Sequence, residues 1–168
     1  MSTAAPHPIA SKRSVVTVTV GVLASVLALT PSQAGAAAAK LVNTEACTLV
    51  TMPEAVKVMG KPLKRKPHID GNQSHYCHYN ATTGLGHLDV TINSDCGFLL
   101  LALNKNLFGP KQQRIKGIGD GGLLNKGSGN VQIAKGKGCF TISAGAGTSS
   151  VADTVMLALA KTAAGRIA

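Results

Sequence analysis

The chain has no tryptophan and few rings of any kind: Tyr76, Tyr79, Phe98, Phe108 and Phe140 are the only other aromatics among its 168 residues. Five scattered rings do not pave the stacking platform of a single-stranded nucleic-acid binder, so no nucleic-acid partner is expected. Leu, Val, Ile, Met and Ala must supply most of the buried volume. Acid is scarce as well. The 7 carboxylates fall singly along the chain and offer no paired acid and base. No serine sits in a Gly-x-Ser-x-Gly elbow. These absences argue against an enzyme: no catalytic residue and no cofactor is assigned. A lipoprotein would need a cysteine just after the N-terminal apolar run. The nearest is Cys47, and the Thr44-Glu45-Ala46 before it places a charge where lipid processing does not accept one.

What is present begins with an export signal. Lys12 and Arg13 form a positive start, Ser14 to Thr30 is an apolar run too short to cross a bilayer comfortably, and Pro31 ends it. Ser32-Gln33-Ala34 or Ala34-Gly35-Ala36 then supplies the small residues that a signal peptidase accepts. Residues 1–34 read as a cleaved signal peptide and the protein as secreted and extracellular, with no integral membrane segment after processing. Lys12-Arg13 is not an arginine pair, which favours general secretion over the twin-arginine route. The Ala-rich stretch 35–46 reads as a flexible mature N-terminus and 47–168 as one domain. Without Lys12 and Arg13, 15 of the 17 basic residues remain against 7 acidic ones, a mature charge of +8 with His neutral. Such a balance favours an anionic cell-envelope polymer or an acidic lipid surface as partner, although it also keeps a secreted protein soluble.

Four cysteines, Cys47, Cys77, Cys96 and Cys139, all lie in the mature part. An even number in an exported chain reads as disulfides. Of three connectivities, Cys47–Cys77 with Cys96–Cys139 is the expected one, because the bridges do not cross and the first tethers an N-terminal helix to a strand; spacing alone leaves the others open.

Thr51-Met52-Pro53-Glu54 has the form of a capping box, with Gly60 and Pro62 to stop a helix of about two turns. Leu63 to Pro67 and Ser74 to Asn80 are strand candidates around an Asp70-Gly71-Asn72 turn. His87 to Asn93 alternates apolar Leu88, Val90 and Ile92 with polar neighbours, as a strand with one wet face must. Phe98 to Phe108 suits a buried strand or a helix ending at Gly109-Pro110, the helix being preferred. Leu123-Leu124 marks a short strand, and Val131–Ala134 and Cys139–Ser143 flank a hairpin turn at Lys135-Gly136-Lys137-Gly138. Ser150-x-x-Asp153 is expected to cap a final helix that packs on the sheet through Val151, Val155, Leu159 and Ala163.

Cys47-Thr48-Leu49-Val50-Thr51, Cys77-x-Tyr79, Gly117-Ile118-Gly119-Asp120 and the C-terminal Ala/Leu helix together resemble the small secreted and lipoprotein domains of unknown function common in actinobacteria. The resemblance spans residues 47 to 165 and departs from the pattern in lacking a lipid-attachment cysteine. It implies an α+β fold with a mainly antiparallel sheet, no known activity and no catalytic residues.

Three stretches invite a chemical reading. His75-Tyr76-Cys77-His78-Tyr79 offers two imidazoles and a thiol, with His87 and His68 as further donors. Strand alternation sends His75 and Cys77 one way and His78 the other, so no metal site is assigned. Gly117-x-Gly119-x-x-Gly122 spells a dinucleotide fingerprint, but Asn125-Lys126-Gly127 leaves no helix after it, so it reads as a turn in which Asp120 bonds its own backbone. Lys57, Lys61, Lys64, Arg65 and Lys66 are the densest charge cluster. Lys64, Arg65 and Lys66 are the candidates for an anionic partner, unless they only guard a sheet edge. The expected function is a secreted, non-enzymatic binding or interaction protein of the cell envelope. The alternatives are a secreted inhibitor of an extracellular hydrolase, which would make a secreted protein the partner, or an extracellular enzyme gathering His78, His87 or Asp89 in a cleft.

Overall fold

Two antiparallel meanders are joined edge to edge in the computed structural model, which describes Leu41 and residues 44–69, 75–147 and 149–167. The elements are α1 (Ala46–Leu49), α2 (Met52–Met59), β1 (Leu63–Ile69), β2 (His75–Ala81), β3 (His87–Asn93), α3 (Gly97–Lys105), β4 (Gln112–Ile115), β5 (Gly121–Asn125), β6 (Asn130–Lys135), β7 (Gly138–Gly145) and α4 (Asp153–Gly165). The 7-stranded sheet runs β1-β2-β3-β7-β6-β5-β4, every pairing antiparallel. The fold is α+β. Residues 1–34, read above as an export signal, and the expected Asp70-Gly71-Asn72 turn lie outside the described residues.

Alternation along each strand gives the sheet two faces. One is apolar: Tyr79, Leu88, Val90, Ile92, Phe140, Ile142, Val131 and Ile133 are buried there, under residues of α1, α2 and α4. On the other face, α3 covers only one end, with Cys96, Leu99, Ala102 and Leu103 seated on Leu123, Ala134 and Cys139. Both expected disulfides are formed. Cys47–Cys77 ties α1 to β2, and Cys96–Cys139 ties the start of α3 to β7.

The capping box forms as read. Glu54 accepts a hydrogen bond from the Thr51 N–H at 2.8 Å, and Gly60 closes α2 with φ 65° in the left-handed region. Thr51 is extended (φ −81°, ψ 159°), which breaks the chain between α1 and α2. Cys47 therefore sits on a one-turn helix of its own. Buried Tyr79 reaches this junction, its hydroxyl donating to the Val50 carbonyl.

Four expectations need correction, and one strand was not expected. Leu41 and Ala46, within the stretch 35–46 read as flexible, are buried in the core. Leu41 fits because Gly138 has no side chain: a Cβ there would meet Leu41 Cδ2 at 3.1 Å. Strand β4 escaped notice because it is an edge strand whose Gln112, Gln113 and Arg114 are exposed, leaving Ile115 as its one buried residue. In α4 the buried stripe is Met156, Leu159, Ala160 and Ala163, so Val155 turns outward. Ser150 does not cap α4. It bridges to Gly145, and the Asp153 carboxylate accepts the Gly127 N–H at 3.0 Å, holding the β5–β6 loop. Nor does Asp120 bond its own turn; it accepts the Gly136 N–H at 2.5 Å, clamping the β6–β7 hairpin.

Candidate functional site

Strand register decides which side chains meet on the face that α3 leaves open. Lys64 lies opposite Asn80 and Lys66 opposite His78, while His78 lies opposite Asp89 and Asn80 opposite His87. Asp89 is in turn opposite Ser143, and Ser143 opposite Asn130. The result is a flat polar surface running from the basic β1 edge to the middle of the sheet.

Its centre is Asp89, two-thirds covered by its neighbours. The His78 Nδ1–H donates to Asp89 Oδ1 at 2.8 Å, and His87 Nε2 stands 3.9 Å from Oδ2. Tyr76 stacks on His78, with ring centroids 6.0 Å apart and planes 4° apart. Gly145, opposite His87, leaves room for that imidazole, since a Cβ would come within 3.0 Å of its Cε1. Beyond Asp89 the surface is ordered by its own hydrogen bonds: Asn130 Nδ2 donates to Ser143 Oγ at 2.6 Å, and Asn125 Nδ2 to Asn130 Oδ1 at 2.9 Å. Among the described hydrogen bonds, none joins a serine hydroxyl to either imidazole. The arrangement is suited to pairing with a polar or charged partner laid across it.

Not every candidate named above lies here. The triplet Lys64-Arg65-Lys66 is split by alternation: Lys64 and Lys66 share the open face, whereas Arg65 lies opposite Tyr79 and its charge acts on that phenol. Burial is the main cause pushing the Tyr79 phenol above its usual range. Lys61 is engaged elsewhere, donating to the Leu85 carbonyl at 2.9 Å. His75 falls on the other face from His78, and Cys77 is spent in a disulfide. Among the described residues, no group of three or more His, Cys, Asp or Glu side chains is arranged to hold a metal ion. His78, His87 and Asp89, the residues that the enzyme alternative gathers in a cleft, do meet, and they do so on the open sheet face.

An open groove of about 460 Å³ separates α2 from α4; Glu54, Lys57, Val58, Thr154, Val155 and Leu159 are among its lining. Glu54 is held at its rim by Arg166, whose Nη2 donates to Oε1 at 2.6 Å while Nη1 donates to the Leu49 carbonyl at 2.6 Å. The Arg166 hydrogen bond, opposed by some burial and aided by Thr51, lowers the Glu54 pKa from 4.5 to about 2. A carboxylate whose pKa falls on folding stabilises the fold fully above its unfolded pKa and loses that contribution as pH drops through its folded one. The stabilisation is therefore complete above about pH 4.5 and drains away toward pH 2. Arg166→Ala is expected to cost about 1–2 kcal/mol at neutral pH. The difference from wild type should shrink toward pH 2 to the part carried by the Leu49 hydrogen bond, as thermal melts across that range would register.

Comparison with protein families, curated proteins and solved structures finds no match to this chain. Among the described residues, no helix is long and apolar enough to cross a membrane.

Proposed function

We propose that the chain is exported and works outside the cell as a non-enzymatic binding protein of the envelope, taking an anionic polymer along the open sheet face from its β1 edge. The observation that carries this reading is the uncovered polar half of the sheet with Lys64 and Lys66 along its margin. An extended, open, cation-edged surface suits a long polyanion better than an enclosed substrate. Two disulfides support an oxidising compartment. The signal at residues 1–34 supports the same placement, and the likeness to small actinobacterial secreted domains agrees with it. A mature start between Gly35 and Lys40 would keep Leu41, which the core needs. A second reading, an extracellular enzyme, draws on Asp89 held by His78 beside His87.

One experiment addresses these points together. The exported protein is sized by intact mass, then mixed with envelope from the producing cell and washed with rising salt. The expected product starts between Gly35 and Lys40, stays on the envelope at low salt, elutes as salt screens the contacts, and leaves the envelope material chemically intact. A product retaining Lys12 and Arg13 would overturn secretion by signal cleavage. Turnover of the envelope material, abolished by Asp89→Asn, would replace binding with the enzyme reading.

A further inference from the structure

Helix α3 is apolar on both sides. Leu99, Ala102 and Leu103 are used against the sheet. On the outward side Phe98 is 83% exposed and Leu101 44%, and Leu107, just past the helix, is 59% exposed. A helix that only faced water would carry polar side chains at those positions. The apolar groups stand on a fixed mount. Cys96, at the start of the helix, is bonded to Cys139 on β7. At the far end Asn106, with φ 53° in the left-handed region, accepts a hydrogen bond from Arg114 Nη1 at 3.0 Å.

Cations outnumber acids beside this apolar side. Lys105 lies one helical turn beyond Leu101, and Arg114 is bound at the helix end; both are exposed. The nearby acid, Asp95, is turned to the helix start, where its carboxylate accepts the Gly97 N–H at 2.9 Å. Exposed apolar side chains flanked by cations match the boundary between headgroups and acyl chains of an anionic bilayer. A second copy of the chain matches less well, because with 17 basic residues against 7 acidic ones it brings more like than opposite charge to Lys105 and Arg114.

We propose that α3 is a docking surface for an anionic lipid bilayer, with Phe98, Leu101 and Leu107 inserted at the interface and Lys105 and Arg114 paired with lipid phosphates. This surface is separate from the β1 edge, and the inference does not depend on the polymer reading.

Because the chain has no tryptophan, Phe98→Trp in the full chain places a single indole on α3. With phosphatidylglycerol vesicles its emission should move to shorter wavelength and be quenched by bromine-labelled acyl chains. With vesicles of phosphatidylcholine alone it should do neither. In the same background Lys105→Gln should weaken the phosphatidylglycerol titration about five-fold, whereas Lys64→Gln with Lys66→Gln should leave the indole response in place, which separates this surface from the one proposed above. An indole that stays in water on phosphatidylglycerol vesicles would overturn the inference. So would an equal response to phosphatidylcholine. An emission already shifted without lipid, and growing with protein concentration, would overturn it in favour of a second copy.

Discussion

Reducing both disulfides is expected to remove about 7 kcal/mol of stability, half from each bridge. The Cys47–Cys77 bridge closes a sequence separation of 30 and Cys96–Cys139 one of 43, lengths at which loop-closure entropy is worth about 3.5–4 kcal/mol each. Net stabilities of domains this size run to only about 5–15 kcal/mol, so reduction should remove at least about half of the total and unfold the chain outright at the lower end of that range. The two bridges should also fail differently. Cys77 is fully buried between α1 and β2, so Cys47→Ala with Cys77→Ala opens the main core. Cys96→Ala with Cys139→Ala unpins α3 from β7 and should raise amide exchange in α3 first. Thermal melts with and without reductant, together with peptide mapping, check both points; a peptide joining Cys47 to Cys139, or a melting temperature indifferent to reductant, would contradict them.

Gly122→Ala is expected to cost about 3 kcal/mol, although it adds a single methyl group. Gly122 lies in β5 opposite Ile133, and a Cβ there would collide with the backbone carbonyl oxygen of Gln132 and press on Ile133 Cδ1. Backbone cannot move aside as a flexible side chain can. The same close approach explains two of the three glycines in Gly-x-Gly-x-x-Gly; the first, Gly117, has open space around it and is fitted instead by its φ of 75°. Gly119, with φ 56° in the left-handed region, would likewise drive a Cβ into the Ala134 carbonyl oxygen. These glycines let β5 and its turn lie against β6, with no helix to receive a pyrophosphate. A denaturant midpoint for Gly122→Ala equal to that of wild type would show that the strands separate more easily than this contact implies.

Where a short window of sequence carries its own physics, structure was legible. The Thr51 to Glu54 box marks α2, and the alternation of His87 to Asn93 marks β3 over the same residues. Elements whose reason lies elsewhere in the fold were not. Strand β4 has one buried residue and so no pattern, and α1 is set by the extended Thr51 that follows it. The stripe on α4 reads as rotated from sequence because Val155 is as apolar as Met156, and only packing against α1 and the sheet fixes the helix face. The open face is similar. His78 and Asp89 are 11 residues apart, and only the β2–β3 register makes them opposite one another. Lys64, Arg65 and Lys66 were readable as a cluster and, by alternation, as a divided one; the side Lys64 and Lys66 take needed the β1–β2 pairing.

Binding at the open face is tested most directly by eluting full-length variants from an immobilised anionic envelope polymer in one salt gradient. Lys64→Gln with Lys66→Gln removes two charges from the open face, and Lys111→Gln with Lys116→Gln removes two from the neighbourhood of β4, at the far edge of the sheet. All four lysines are exposed, so neither pair should alter the melting temperature appreciably. The β1 pair is predicted to bind on the order of ten-fold more weakly and elute earlier, with the β4 pair close to wild type. Equal losses in the two variants would mean that net charge alone holds the polymer, and an unchanged β1 pair would remove the open face from its binding.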